Sequence, residues 1–539
     1  MDLRMRSATR RLSFVAALAI LLSALPSLPA QVHYREDGAP WNHTTEHGPD
    51  AEVPGWYYNL GITGLRVELR KDRPTDLLVR YVFSDSPAAK KIEVGDWIVG
   101  IGKKKFATPH RNGYGMDVFG PHGPILDFAV ALEASQRKKG VLSLAIERDK
   151  KTRAVDLEVG KEYGAFAPKY PASCEKSEKI RRELLDYLLE HQREDGSWGS
   201  PPHDTFAPLA LLTSDEKKDR EALVKNVRFH ARTTKAEDSS WLINWRYMAA
   251  GIVLSEYYLA TGERWVIPEL EEIYAFICSS QYLDLSQVDE KSKKDRPEDM
   301  PKNPLDSHGG WGHNPGFEGY GPISMITGQG ALVLSLMDRC GLTIDHARLE
   351  AALAFLDRGT GPNGYVWYED SVAGRRDWAD MGRTGASGIA HALSPIERKK
   401  TATRAKEHAK IIGEHPESFP DTHGSPVMGM GYAALAAHTD RASWRNLLAA
   451  NRWWFALAQC PDGSFYYQPN RDNAGYGEDS RISATAVTAL MLSIPRGNLA
   501  VTGRKKDAPP EAKTKPAPPK EGTELRTQHF PRTESFPTR

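Results

Sequence analysis

The chain has 539 residues, 40% of them hydrophobic and 26% charged, with 71 Lys and Arg against 70 Asp and Glu for a formal charge of +1. That is enough for two or three domains with cores of their own, and the balanced charge excludes nucleic acid as an expected partner, because no basic footprint remains for it. At the start, Arg4, Arg6, Arg10 and Arg11 precede the apolar run FVAALAILLSALPSL, and Leu-Pro-Ala before Gln31 offers a small residue at a cleavage point. Residues 1–30 therefore read as a secretory signal, too short to serve as a retained anchor. The mature protein is expected to be exported, periplasmic or extracellular, with no membrane span after signal cleavage.

From Tyr57 to Gly160 the signals are those of strands. LRVELR, LLVRYVF, DWIVGIG, VLSLAIER and RAVDLEV are short, β-branched or alternating, and ILDFAVALEASQRK interrupts them with apolar residues at helical spacing. A small sheet capped by one helix is predicted. Within it, SDSPAAKKIEVGDWIVGIGKKKF resembles the PDZ domains of exported bacterial proteases, in which Ser-Pro-Ala-Ala opens a short helix and Val-Gly-Asp leads into a strand. The resemblance implies a PDZ-like domain over 57–160 whose X-Φ-Gly-Φ loop is Asn59, Leu60, Gly61 and Ile62. Leu60, Gly61 and Ile62 are then the candidate residues for binding a protein or peptide C-terminus, with backbone N–H groups facing the carboxylate. The insertion ATPHRNGYGMDVFGPHGP departs from that family's compact pattern. A domain whose groove is covered by Thr108 to Pro124, or filled by its neighbour, would pack rather than bind.

From Cys174 the pattern turns helical and recurs with a period of roughly 50 residues: an amphipathic helix, a turn rich in Gly and aromatics, then a helix of small apolar residues. The first unit is KIRRELLDYLLEHQ, REDGSWGSPPHD, TFAPLALL, and the last is WRNLLAANRWWFALAQ, CPDGSFYYQPNRDNAGYGED, SRISATAVTALMLSI. About six such pairs over 174–498 predict a closed α/α toroid, with an extended stack of helical hairpins as the alternative. In both units Asp-Gly reverses the chain where an outer helix ends, and the aromatic that follows packs over the junction. That corner, most clearly QREDGSWG, resembles the Gln-Trp motif of the terpenoid cyclase and protein prenyltransferase toroids. The order of the two domains, with LGITGLR at the start and SCEKSEKI at the junction, also resembles an exported bacterial family of unknown function that joins a PDZ domain to a toroid. The fold class is accordingly multidomain: a small β-rich domain, an all-α toroid, and over 501–539 a Lys- and Pro-rich tail without the apolar residues to order itself.

In a toroid the inner helices share one direction, so their N-termini gather at one mouth and favour an anionic ligand. Residues at these junctions are Asp204 and Arg246 before the first two inner helices, Asp380 and Arg383, and Asp479 with Arg481. Any of them can equally cap a helix. Two loops add His308, His313 and Tyr320 on a glycine-rich backbone, and Trp367 beside Tyr365, Tyr368 and Glu369. Aromatics beside carboxylates and arginines suit a sugar ring, by carboxylate pairs in hydrolysis or by His, Tyr and Arg in a lyase that abstracts a proton. The same aromatics also suit repeat-on-repeat packing. No Asp-x-Asp-Asp run, Cys-Gly-Glu-Gln or Cys-His zinc pair is present, so no cofactor and no metal is read from the sequence. The four cysteines, Cys174, Cys278, Cys340 and Cys460, fit no metal spacing and leave disulfides and buried thiols both open. The expectation is a peptide-binding protein whose toroid mouth takes a second ligand, possible polysaccharide binding included; the alternatives are a polysaccharide lyase or glycoside hydrolase, and a scaffold.

Overall fold

The computed structural model describes residues 56–70, 72–110, 122–235, 242–372, 381–419, 426–466, 468 and 480–504. The expected signal segment, most of the tail, Asp380 and Asp479 lie outside them.

An antiparallel sheet comes first, formed by β1 (Trp56–Asn59), β2 (Leu65–Leu69), β3 (Leu77–Val82), β4 (Trp97–Ile101), β5 (Lys104–Lys105), β6 (Val141–Arg148) and β7 (Lys151–Glu158). The strands follow one another in space as β1-β2-β3-β4-β6-β7, with β5 paired to β4. The Val-Gly-Asp turn is held by Asp96, whose carboxylate accepts the Glu93 N–H at 3.0 Å and two bonds from the Arg148 guanidinium at 2.6 and 2.7 Å. That fork ties the start of β4 to the end of β6. Helix α1 (Pro124–Arg137) buries Ile125, Phe128, Ala129 and Leu132 against the sheet region.

Fourteen further helices follow: α2 (Glu175–Glu190), α3 (His203–Leu212), α4 (Lys217–Thr233), α5 (Ile243–Thr261), α6 (Val266–Ser280), α7 (Glu290–Asp295), α8 (Ser324–Arg339), α9 (His346–Arg358), α10 (Met381–Leu393), α11 (Arg398–Glu414), α12 (Pro426–His438), α13 (Arg441–Ala450), α14 (Arg452–Leu457) and α15 (Ser480–Ser493). Helices α3, α5, α8, α10, α12 and α15 each touch the next, and α15 returns to α3, so the ring closes. The toroid is therefore the observed architecture, and the extended stack is not. Small residues permit the close approach inside the ring: a Cβ added to Gly328 on α8 would stand 2.8 Å from the Cβ of Ala386 on α10.

The outer helices are joined to the ring by a recurring corner. Gly196, Gly309, Gly364 and Gly463 have φ of +91°, +90°, +87° and +82°, the left-handed region open to glycine. A Cβ on the first three would sit 2.5, 2.2 and 2.9 Å from the carbonyl oxygens of Lys225, Ala351 and Glu407, on the next outer helix in each case; Gly463 faces Glu183 of α2. Two residues on from the glycine, the backbone N–H is taken by a side chain of the following inner helix: Trp198 by Asp204, Trp311 by Thr327, Val366 by Thr384 and Phe465 by Thr485, at 2.7 to 3.0 Å. The indoles of Trp198 and Trp311 donate to Leu188 and Ile277 carbonyls at the ends of α2 and α6. Asp204 is thus a buried brace.

The sheet and the toroid share one apolar core, and their junction overturns the peptide-binding reading. Leu60, Gly61 and Ile62 are buried, and α14 packs against both their turn and α1. A Cβ on Gly61, whose φ is +65°, would meet the Ala456 carbonyl oxygen of α14 at 2.6 Å. Asn59 donates to the carbonyls of Leu457 and Gln459 at 2.6 and 2.9 Å, and its own N–H goes to the Gln468 side chain. Glu133 of α1 pairs with Arg452 of α14, and Arg66 lies 3.9 Å over the Tyr466 ring. The groove implied by the PDZ resemblance is filled by the chain's own closing helix, so no peptide C-terminus is expected there. All four cysteines are free thiols, and no helix among the described residues is long and apolar enough to cross a membrane.

Two outcomes follow. Gly61→Ala should cost about 2–3 kcal/mol of stability in urea unfolding, because backbone strain and a clash with a helix carbonyl combine; a neutral result would mean that the junction is loose. Burial pushes the Asp204 carboxyl from 3.8 up to about 7. The folded state then holds a proton that the unfolded chain releases, so this contribution to stability is full below about 3.8 and is lost as pH rises toward about 7. Asp204→Asn should flatten the decline of stability over that interval, and an unchanged slope would refute the assignment.

Candidate active site at the toroid mouth

The starts of α3, α5, α8 and α12 meet around a narrow slit lined by Pro201, Pro202, Thr205, Phe206, Trp245, Gln329, Met428 and Tyr432. It is too narrow to admit a water molecule. A ligand bound there would lie across the slit.

Beside the slit, four side chains from three segments form a hydrogen-bonded chain. Trp245, in the first turn of α5, donates its indole N–H to His313 Nδ1 at 2.8 Å. His313 Nε2 meets the Tyr320 hydroxyl at 2.5 Å, and Tyr320 meets the Tyr368 hydroxyl at 3.0 Å. An indole N–H can only donate, so Nδ1 of His313 accepts, and the neutral ring carries its proton on Nε2 and donates it to the Tyr320 oxygen. Burial holds His313 below its ordinary value, and the Trp245 bond acts in the same direction by occupying the second nitrogen. All four residues are half-buried, dry enough to be ordered yet open to the mouth. Arg383, in the first turn of α10, donates to the Tyr365 hydroxyl at 2.8 Å and lies 5.6 Å from the Tyr368 ring centre.

Of the residues singled out in the sequence, His313, Tyr320 and Arg383 are brought together here, and Trp367 stands close by, edge-on to Tyr365 at 5.6 Å. The others are not. His308 gives its ring to the Leu283 carbonyl at 2.7 Å, and its own carbonyl accepts from Arg358. Arg481 pairs with Asp462 in the last corner at 2.7 Å. Arg246 is half-buried on α5; with burial as the larger cause, it helps hold His230 down at about 4. Trp245 carries no motif that would single it out, although a tryptophan opening a helix of small residues is a usable signal. Among the described residues no three His, Cys, Asp or Glu side chains converge to hold a metal ion.

Trp245→Phe removes the donor from Nδ1, so His313 should titrate closer to an ordinary imidazole. NMR titration of the ring in both proteins checks this, and a value unchanged or lower in the variant would refute the tautomer assignment.

A family model described as "Domain of unknown function (DUF6288)" matches residues 177–503. Among curated proteins, none matches the chain. Solved structures with a similar fold include an inactive variant of an α-1,6-mannanase of glycoside hydrolase family 76 from Salegentibacter sp. HEL1_6 in complex with α-1,6-mannotriose, at 10% identity and a TM-score of 0.41, over 59% of this chain and 98% of that one. A family 88 glycosyl hydrolase from Bacteroides vulgatus follows at 12% identity and a TM-score of 0.40, over 59% and 99%. A polysaccharide lyase matches at 12% identity and a TM-score of 0.40, over 59% and 97%. These findings correct the resemblances drawn from the sequence: the similar structures are glycoside hydrolases and a lyase in place of terpenoid cyclases or prenyltransferases, and the comparisons give no PDZ domain. Because its family model spans more than half of the sequence, the chain belongs to the DUF6288 family.

Proposed function

We propose that the toroid mouth is the active site of an enzyme that acts on a polysaccharide. The observation that carries this reading is the chain Trp245–His313–Tyr320–Tyr368. A protein that needed these residues only for packing would bury them as it buries Trp198 and Trp311. Here they are half-exposed, joined through hydroxyls and an imidazole, and set where helix N-termini gather. Such a chain can carry a proton to or from a bound molecule. Trp245, Trp367 and Tyr368 supply flat faces on which a sugar ring stacks, and the narrow slit beside them suits a polymer lying across it better than a small molecule sinking into it. The mannanase and the lyase of similar fold act on polysaccharides by their descriptions; at their TM-scores that likeness adds nothing to the argument, which rests on the site.

His313→Ala and Tyr320→Phe should each lower the release of reducing ends from a susceptible polysaccharide by about 100-fold or more. Their thermal unfolding should stay close to that of the parent, and Lys217→Gln, exposed on the outer helix α4, should keep its activity. Full activity in both mouth variants would end the proposal.

A further inference from the structure

The residues around the two tyrosines say which polysaccharide. Arg296 lies on the segment between α6 and α8, with its guanidinium 5.7 Å from the centre of the Tyr320 ring. Its side chain is 43% exposed, and its ion pair with Asp299 is long, at 3.4 Å. Arg383 approaches Tyr368 from α10, and the two tyrosine rings are 6.0 Å apart. Two guanidinium groups on different elements thus flank the pair of phenols. A neutral glycan has little use for them, whereas a carboxylate matches a guanidinium fork with two parallel bonds.

Hydrolysis of a glycoside ordinarily uses two carboxyl groups on either side of the bond. Among the described residues, Tyr320 and Tyr368 are joined to an imidazole, through it to an indole and, against the rings, to guanidiniums. That set suits a different reaction, in which a cation neutralises a carboxylate so that the neighbouring carbon can release its proton.

We propose that the substrate is a uronate-bearing polysaccharide cut by β-elimination, with Arg296 holding the sugar carboxylate and Tyr320 carrying the proton. This rests on the reading of the mouth as a polysaccharide-acting site. Tyr320 enters the step as the phenolate, its proton having passed through the Tyr368 hydroxyl to solvent, and the His313 Nε2–H donates to the charged oxygen. The phenolate takes the proton from C5 of the uronate, and the C5–H electron pair forms the C4=C5 double bond. The C4–O4 bond breaks, and O4 leaves with the proton that Tyr320 had taken. Nothing is consumed, and the phenolate is restored.

The full-length protein would be incubated with polygalacturonate, alginate and a glucuronate-containing glycosaminoglycan, and with α-mannan and β-glucan as neutral controls. Reducing ends and the ultraviolet absorbance of the unsaturated uronate would be followed together. The expected result is equal growth of both signals on at least one acidic polymer. Tyr320→Phe should lose about 100-fold or more. Arg296→Gln should lose at least about tenfold in kcat/KM, and its half-exposed position should leave the melting temperature unchanged. Reducing ends without the double bond would overturn the elimination while sparing the polysaccharide reading. Cleavage of no polymer would overturn both, and full elimination activity in Tyr320→Phe or Arg296→Gln would remove that residue's role.

Discussion

The structure depends on how each outer helix is made to turn into the ring. At Gly196, Gly309 and Gly364 the backbone is pressed so closely on a carbonyl of the next outer helix that no side chain fits. The residue two places on spends its N–H on the following inner helix. Each corner therefore fixes three helices at once: the one that ends, the one that begins, and the neighbour it rests on. The last corner, at Gly463, rests on α2, the first outer helix. The ring closes through a looser version of that contact, with Gly463 at ordinary packing distance from Glu183.

The N-terminal sheet serves that closure. Helix α14, which leads into the last corner, lies between the Gly61 turn and α1, and Asn59 takes up the carbonyls at its end. The surface that the PDZ resemblance assigned to another chain's terminus is occupied by a helix of the same chain. Arg66, buried against Tyr81, Phe83 and Tyr466, adds a charged residue wrapped in aromatic rings beyond the corner glycine. Residues 456–466 are thereby held from outside the ring.

Much of this was legible in the sequence. The five strands and the helix read between Tyr57 and Gly160 stand within a few residues of their observed bounds, because alternation and helical periodicity are local properties. The first and last corners were legible as Asp-Gly-Ser-aromatic for the same reason. Occupancy of the Leu60–Ile62 turn was not, since the helix that fills it lies far downstream and bears no mark of its destination. His308 and His313 look alike on one glycine-rich loop. One is turned outward to a carbonyl and the other inward to Trp245, a distinction made by the fold and not by composition. The mouth draws on three separated segments, so its members could be named singly but not assembled. The loop signal for β5 was too short to register, and Arg296 sits in a charged stretch that reads as solvated surface.

The central claim is that the Trp245–His313–Tyr320–Tyr368 chain faces a bound sugar. Its most direct test is a crystal structure of the Tyr320→Phe protein with an acidic oligosaccharide long enough to cross the mouth. The account expects a sugar ring against Tyr368 with its carboxylate on Arg296 or Arg383 and a glycosidic oxygen within hydrogen-bond reach of position 320. An oligosaccharide seated elsewhere, for example in the depression along Glu397 to Glu407 on α11, with the mouth empty, would contradict it.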